Sequence, residues 1–321
     1  MKATAPTLTA ALVAADKSRV AIFTELIKAR LTLLVVLTTL VGFYLGSGTP
    51  VDYALMLHTV FGTALVASGA AALNQLIERE HDARMRRTED RPLPSGRITP
   101  NAVLLLGAGL SVVGLAWLLF AVNPLTALLG AVTLASYLFI YTPLKRVTVL
   151  NTAIGAVPGA LPPLMGWAAA TGTVSAHGWA LFAILFFWQM PHFMAIAWLY
   201  REDYAGAGYR MLSGVDPDGR RTAASAIRNT IGLLVISLYP FLLGLTGRVY
   251  LVGALALGVA FLACAIAFAR APAARAARQL FFASILYLPL LLGLLVADKR
   301  TNKLTPPATV SQESGRPAER G

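Results

Sequence analysis

Apolar stretches close to twenty residues long recur along the chain, and they restrict its fold more than any other feature. A bilayer core about 30 Å thick needs a helix of about 20 apolar residues to cross it. Hydrophobic residues make up 57% of the sequence and charged residues only 13%. The sequence therefore predicts an all-α polytopic membrane protein, a bundle of about nine transmembrane helices around a central cavity. The predicted spans are residues 31–48, 53–77, 101–121, 124–141, 151–170, 178–200, 227–246, 249–269 and 278–297.

Basic residues are distributed very unevenly between the two sides of this predicted bundle. The N-terminal segment and alternate loops, with the residues flanking them, hold 21 of the 27 Lys and Arg residues, and the four opposite loops hold only Arg248. Positive charge marks the cytoplasmic side, so the N-terminus and the basic loops are predicted to be cytoplasmic. Those loops are residues 78–100, 142–150, 201–226 and 270–277. An eight-span alternative would also place the basic C-terminal tail in the cytoplasm.

The net charge of +12 needs no nucleic acid to explain it. Most of it is topology signal together with attraction to anionic headgroups of membrane lipid, and no nucleic-acid partner is expected. Around the spans we predict three parts of the chain. Residues 1–22 form a cytoplasmic tail, residues 23–298 form the transmembrane domain, and residues 299–321, rich in Pro, Ser and Thr, form a disordered tail.

A dense polar segment follows the second predicted span. Asn74, Glu78 and Asp82 are spaced i, i+4 and i+8, which places three oxygen-bearing side chains along one stripe of a helix. Such oxygens suit Mg²⁺, which is usually shared with a phosphate ligand. Arginines follow at once, including Arg87 and Arg91, and guanidinium groups match phosphate oxygens. The segment therefore predicts a site at the membrane surface that binds a metal ion together with a phosphate group.

The segment YTPLKR, at the end of the fourth predicted span, brings one phenol and two cations to the same interface. One interpretation is an interfacial tyrosine followed by topology-setting charges. The other is functional: Lys145 and Arg146 neutralise a leaving phosphate while Tyr141 donates a hydrogen bond to it. The pattern alone leaves both interpretations open.

The sixth predicted span carries polar groups where a membrane helix rarely has them. Gln189, Pro191 and His192 stand together, and such groups are costly in a bilayer unless they face the protein interior or water. On one continuous helix, Asp203 would share a face with His192 about 16 Å away. The alternative is a structural histidine bonded to a neighbouring helix. In the fifth span, GAVPGALPPLMGW (155–167) predicts either a broken helix or unusually tight packing.

Four ordered segments resemble the UbiA-type intramembrane prenyltransferases. They are NQLIEREHD with RPLPSGRI (74–98), YTPLKR (141–146), the Gly/Pro-rich segment of the fifth span, and WQMPHF with DYAGAGYRML (188–212). Glu78 at the middle acidic position and the Gln-x-Pro-His arrangement are similar to the branch of that family that prenylates haem. The resemblance covers about residues 25–295.

This resemblance implies a set of site residues. Metal ligands for Mg²⁺ would be Asn74, Glu78 and Asp82, with Asp203 serving alone where relatives carry a pair of acids. Catalytic roles would fall to Asn74, Asp82, Lys145 and His192. The substrate-binding residues would be Arg87, Arg91, Arg97, Tyr141, Arg146, Gln189 and His192.

The resemblance also implies a transferase of the cell inner membrane that releases diphosphate. A farnesyl group would pass from farnesyl diphosphate to a vinyl group of haem B, and water would add to the product. Haem A synthase and oxidase assembly proteins are the partners this implies. Two alternatives stay open at this point: prenyl transfer to another acceptor such as an aromatic quinone precursor, and transport, which broken helices and midplane polar groups also indicate.

Overall fold

Nine long helices dominate the computed structural model, which describes residues 18–300. Each is long and apolar enough to cross a membrane, and we number them spans one to nine in chain order. Within the described residues, the prediction of an all-α bundle of nine spans is confirmed, and the eight-span alternative is not supported. The spans are Ala29–Gly46, Tyr53–Asp82, Pro100–Ala121, Pro124–Leu144, Asn151–Thr171, Ala176–Leu199, Arg220–Leu242, Arg248–Arg270 and Ala274–Ala297.

Polar caps explain where several spans begin. Asp52 accepts a hydrogen bond from the Leu55 backbone N–H at 2.9 Å, and Asn123 accepts one from Thr126 at 2.8 Å. Such side chains satisfy N–H groups that have no partner within the first turn of a helix. A short helix, Arg19–Leu26, precedes span one, so helical structure begins inside the region predicted as an N-terminal tail.

Span seven differs most from its prediction, because it begins at Arg220 instead of residue 227. The Asp216 carboxylate accepts hydrogen bonds from the Thr222 backbone N–H and hydroxyl, both at 2.7 Å, and from the Arg221 N–H at 3.3 Å. This cap starts the helix while its sequence is still polar. Hydropathy could not locate this start, since it marks only the apolar part of a helix.

Span five is an uninterrupted helix, so the predicted break is wrong and tight packing is the correct alternative. Pro158, Pro162 and Pro163 all lie inside it. Its glycines permit close approach: a Cβ on Gly166 would collide with the Thr39 carbonyl of span one. Glycine is required there because two helix backbones are in contact.

The last described residues tie the end of span nine to span one. Lys299 Nζ donates hydrogen bonds to the Tyr44 carbonyl at 2.6 Å and the Ser47 carbonyl at 2.7 Å. Lys299 also pairs with Thr246 in an isolated β-bridge. Residues 299 and 300 therefore belong to the folded part and not to the predicted tail. The rest of both predicted tails, residues 1–17 and 301–321, lies outside the described residues.

Candidate active site

The polar stripe predicted on span two is present and buried. Asn74, Glu78 and Asp82 are only 0%, 4% and 2% exposed, and all three lie on the continuous helix Tyr53–Asp82. The predicted span had ended at residue 77, but the helix extends through the acidic residues. The spacing therefore brings three oxygen-bearing side chains to one buried face, as predicted.

Each of these three side chains pairs with a cation from another segment. Lys28 Nζ donates to Asn74 Oδ1 at 2.8 Å, and Lys145 Nζ pairs with Glu78 Oε1 at 2.7 Å. Arg91 Nη1 pairs with Asp82 Oδ2 at 2.6 Å. We call these six residues the polar cluster: Lys28, Asn74, Glu78, Asp82, Arg91 and Lys145. With Lys28 protonated, the cluster holds three cations and two anions, so its net charge is positive and it favours an anionic ligand.

An irregular end of span four positions one of these cations. Residues Ser136–Tyr141 form a π-helical turn, and Pro143 follows without a backbone N–H to donate. The Thr142 hydroxyl donates to the Tyr137 carbonyl at 2.8 Å and accepts from Asn74 Nδ2 at 3.1 Å. Lys145 comes directly after this segment. Such π-turns occur often at functional sites, and here one anchors span four to the polar cluster.

The two lysines of the polar cluster have opposite electrostatic surroundings. Burial, and then the nearby Arg91 guanidinium, lower the pKa of Lys28 to about 7. Burial also opposes the charge of Lys145, but the neighbouring Tyr141 and the Glu78 carboxylate raise the pKa of Lys145 well above its ordinary value. Its ammonium lies 4.5 Å from the Tyr141 ring centroid. Lys145 is therefore a permanent cation of the site.

The other predicted arginines make separate contacts. Arg87 donates to the Tyr204 hydroxyl at 2.6 Å, and its guanidinium lies 4.7 Å from the Tyr204 ring centroid. Arg97 pairs with Glu25 at 3.6 Å and donates to the Asp90 carbonyl, so it braces the loop against the short N-terminal helix. The Arg146 side chain is exposed and makes no ion pair or hydrogen bond within residues 18–300, and only its backbone N–H donates, to the Pro143 carbonyl. Of the predicted arginines, only Arg91 joins the polar cluster.

Asp203 does not lie on a continuation of span six, so the predicted shared face with His192 is wrong. Span six ends at Leu199, Tyr200 leaves helical geometry with φ −115° and ψ 26°, and Arg201–Gly206 forms a separate short helix. Asp203 is half-buried there, beside the Tyr204 that contacts Arg87. The described residues contain no group of three His, Cys, Asp or Glu side chains placed to bind a metal.

The polar residues of span six contact neighbouring helices. Gln189 donates to the Ala156 carbonyl of span five at 3.3 Å and to the Leu185 carbonyl at 3.0 Å. His192 Nδ1 lies 2.7 Å from Ser284 Oγ of span nine. This interhelical bond is what a structural histidine would form. Pro191 lies inside the continuous helix of span six.

Sequence reasoning missed four residues of these networks, namely Lys28, Thr142, Tyr204 and Ser284. Lys28 offered one local signal, because it is a charged residue immediately before the apolar stretch of span one, where it occupies the N-cap position. It adopts φ 49° and ψ 54°, the left-handed region that non-glycine residues rarely occupy. Such backbone outliers concentrate at functional sites.

A cavity of about 360 Å³ lies at the same membrane end as the polar cluster. It is lined by Leu150, Met190, Met194, Arg221 and Arg228, among others from spans five, six and seven. No residue of the polar cluster lines it.

Comparison with known proteins places this site in a family. Residues 35–286 match the UbiA prenyltransferase family. The chain belongs to this family. The resemblance inferred from four motifs is thus confirmed, and with it the prediction of a transferase in preference to a transporter.

Relatives in this family match the chain over nearly its whole length. The protoheme IX farnesyltransferase of Solibacter usitatus (strain Ellin6076) is 49% identical over 286 residues, covering 86% of this chain and 98% of the relative. The mitochondrial protoheme IX farnesyltransferase of Arabidopsis thaliana is 43% identical over 281 residues, covering 87% of this chain and 65% of the relative.

Solved structures of UbiA-family proteins share the fold. A digeranylgeranylglyceryl phosphate synthase matches with a TM-score of 0.74 at 18% identity, covering 87% of this chain and 98% of that chain. A UbiA homologue from Archaeoglobus fulgidus bound to GPP and Mg²⁺ matches with a TM-score of 0.60 at 15% identity, covering 86% and 99%. At these identities the likeness concerns the architecture of the spans.

Proposed function

We propose that the protein transfers a farnesyl group from farnesyl diphosphate to a vinyl group of haem B, in a reaction that requires Mg²⁺. One observation carries the diphosphate and metal part of this proposal: buried oxygens on span two are each paired with a cation that could turn to phosphate. The acceptor rests on the relatives, which are protoheme IX farnesyltransferases at up to 49% identity.

The donor set fits Mg²⁺ when a diphosphate completes it. Glu78 and Asp82 supply carboxylate oxygens, Asn74 supplies an amide oxygen, and Mg²⁺ prefers such hard ligands together with substrate phosphates. Bound there, Mg²⁺ would neutralise charge on the leaving diphosphate. A homologue of the same fold binds both GPP and Mg²⁺. Asp203, with Glu202 beside it, is the proposed second acidic position.

The cations of the site would stabilise the charge that develops as the carbon–oxygen bond breaks. Glu78 and Asp82 would hold the metal, and their present partners Lys145 and Arg91 would then be available to bind phosphate oxygens. Arg87, Arg97, Arg146 and the Tyr141 hydroxyl are further proposed phosphate contacts. Stabilising developing charge is commonly the largest catalytic contribution.

The reaction needs only water in addition to farnesyl diphosphate and haem B. The bonding electron pair leaves with the diphosphate, and the haem vinyl group attacks the farnesyl C1. The cation then formed on the former vinyl carbon next to the macrocycle takes up water and loses a proton, which produces a hydroxyethylfarnesyl side chain. Gln189 and His192 are the proposed acceptor contacts. A site with buried acids, at most 4% exposed, limits early hydrolysis of the allylic cation.

The distribution of charge supports an orientation with the polar cluster on the cytoplasmic side, and we propose that the membrane is the cell inner membrane. The cluster lies at the membrane end that carries most basic residues, which is the side that positive charge marks. We propose that the N-terminus lies on this side as well, since the short helix Arg19–Leu26 contacts Gln75 near the cluster. Haem A synthase and oxidase assembly proteins stay predicted partners.

Product analysis tests the proposal. Purified protein in detergent receives haem B, farnesyl diphosphate and Mg²⁺, and products are separated by chromatography and weighed by mass spectrometry. We expect a haem heavier by a farnesyl group and water, absent after chelation of Mg²⁺ and absent in Asp82→Asn. Asp218→Asn, an exposed acid outside the cluster, is the matched control. If an aromatic acceptor is prenylated and haem is not, the proposal that haem B is the acceptor is wrong. If no acceptor is prenylated, the proposed prenyltransferase function is wrong.

A further inference from the structure

His192 is held between spans six and nine by two stacked aromatic rings and one hydrogen bond. Trp188 and Phe281 stack on it, each with its ring centroid 5.1 Å away, at interplanar angles of 21° and 27°. Ser284 Oγ lies 2.7 Å from Nδ1. Trp188 Nε1 also donates to the Ser284 carbonyl at 2.8 Å, so the same serine is anchored to span six twice. The imidazole therefore has one fixed orientation.

The hydrogen bonds of Ser284 determine which ring nitrogen carries the proton. Ser284 Oγ lies 2.5 Å from the Phe281 carbonyl, which can only accept, so the single hydroxyl proton points there. Ser284 Oγ must then accept from His192, and the neutral imidazole carries its proton on Nδ1. Within residues 18–300 no hydrogen bond reaches Nε2, and Nε2 is not among the buried unpaired atoms. Nε2 thus keeps an accessible lone pair.

We propose that Ser284 is a positioning residue, which holds His192 in its Nδ1–H tautomer and presents Nε2 to the haem iron of the acceptor. This inference rests on the proposed function, because the ligand is a tetrapyrrole iron. Neutral imidazole is a common metal ligand, and a hydrogen bond to its second nitrogen fixes the tautomer and raises its basicity. The stacked rings of Trp188 and Phe281 keep the imidazole from turning away.

The first test reads the tautomer without haem. Protein labelled with ¹⁵N-histidine has only four histidines, and the His192 signals are identified by their loss in His192→Ala. We expect a protonated Nδ1 and an unprotonated Nε2 in the wild type and in Ser284→Thr. Ser284→Ala removes the acceptor and should shift the proton to Nε2 in part or fully.

Ser111→Ala is the matched control, because the Ser111 hydroxyl also donates to a carbonyl of its own helix, Gly107 at 2.8 Å, but contacts no imidazole. It should leave the His192 signals unchanged and show that an intact bundle tolerates this type of substitution. A His192 tautomer unaffected by Ser284→Ala would overturn the positioning role.

The second test reads the iron–nitrogen bond. Resonance Raman spectra of the ferrous haem complex should contain an iron–histidine stretching band that disappears in His192→Ala and shifts in Ser284→Ala. The haem Kd of Ser284→Ala should rise about tenfold, as is typical when a hydrogen bond behind a metal ligand is lost. Ser284→Thr should restore both the band and the affinity.

The outcomes separate this inference from the proposed function. Haem that is farnesylated normally while the iron–histidine band survives in His192→Ala would overturn the inference and leave the function intact. Haem that neither binds nor reacts, in a protein that prenylates another acceptor, would overturn the haem function and the ligand role together.

Discussion

The buried Glu78–Lys145 pair makes the sharpest prediction about stability. Its charged atoms are 2.7 Å apart, and the two side chains are only 5% and 16% exposed. Removing one partner of such a buried pair leaves an uncompensated charge and typically costs 3–5 kcal/mol, whereas an exposed pair contributes about 0–1 kcal/mol. Lys145→Met, which keeps the length of the side chain, should therefore be strongly destabilising.

The expected size can be stated as a melting temperature. With about 2 °C lost per kcal/mol in a chain of this size, Lys145→Met should lower the midpoint by about 6–10 °C. The double variant Glu78→Gln/Lys145→Met should recover most of this loss, since no unpaired carboxylate remains. Midpoints are followed by tryptophan fluorescence in one detergent, at one scan rate and without Mg²⁺.

Two comparisons make this test decisive. Asp218→Asn breaks the exposed pair with Arg220, whose side chains are 59% and 87% exposed, and it should shift the midpoint by less than about 2 °C. Lys145→Met also removes the contact with the Tyr141 ring, but it does so whether residue 78 is Glu or Gln. This loss therefore cancels when the two single variants and the double variant are compared in a double-mutant cycle. Losses from Glu78→Gln and Lys145→Met that simply add in the double variant would refute the buried pair.

Three further predictions concern the ligand, the packing and the pH response. Each oxygen of the polar cluster that would bind Mg²⁺ already contacts a cation, and pyrophosphate would give those cations a new partner. Mg²⁺ and inorganic pyrophosphate should therefore each increase the affinity for the other by the same factor, as measured by titration calorimetry. Affinities that are independent of each other would contradict this. Gly166→Ala should cost about 1–3 kcal/mol by forcing span five away from the Thr39 carbonyl, while Gly109→Ala, with open space around it, should melt at or above the wild-type temperature. Burial raises the pKa of Asp216, but hydrogen bonds from Thr222 and Arg221 outweigh it and hold this pKa below its ordinary 3.8. The stabilisation is therefore complete above pH 3.8 and is lost as the pH falls through the lower pKa of the folded state. Asp216→Asn should thus melt lower than wild type at pH 7, and the difference should shrink as the pH falls below 3.8.

Local patterns in the sequence predict most of the bundle and one half of the site. Apolar length predicts the nine spans because the bilayer core sets a minimum length for each. The stripe from Asn74 to Asp82 follows from helical periodicity alone. Both features depend only on neighbours along the chain.

The remaining features depend on contacts between distant segments. Lys28 reaches Asn74 and His192 reaches Ser284 only because particular spans are adjacent, which periodicity does not report. The turn at Tyr200, which separates Asp203 from span six, has no Gly or Pro at that position. The pairing of Arg97 with Glu25 likewise depends on the fold of the loop, which periodicity does not report.

Lys299, which joins the C-terminal ends of the first and last spans, limits how these two helices can separate. Lys299 binds the end of span nine to the end of span one, at the membrane end opposite the polar cluster. If these two helices separate, they must rotate about the fixed contact that Lys299 makes. The gap then widens toward the cytoplasmic end, so a long lipid-soluble substrate entering from the side would meet its widest opening beside the acids of span two.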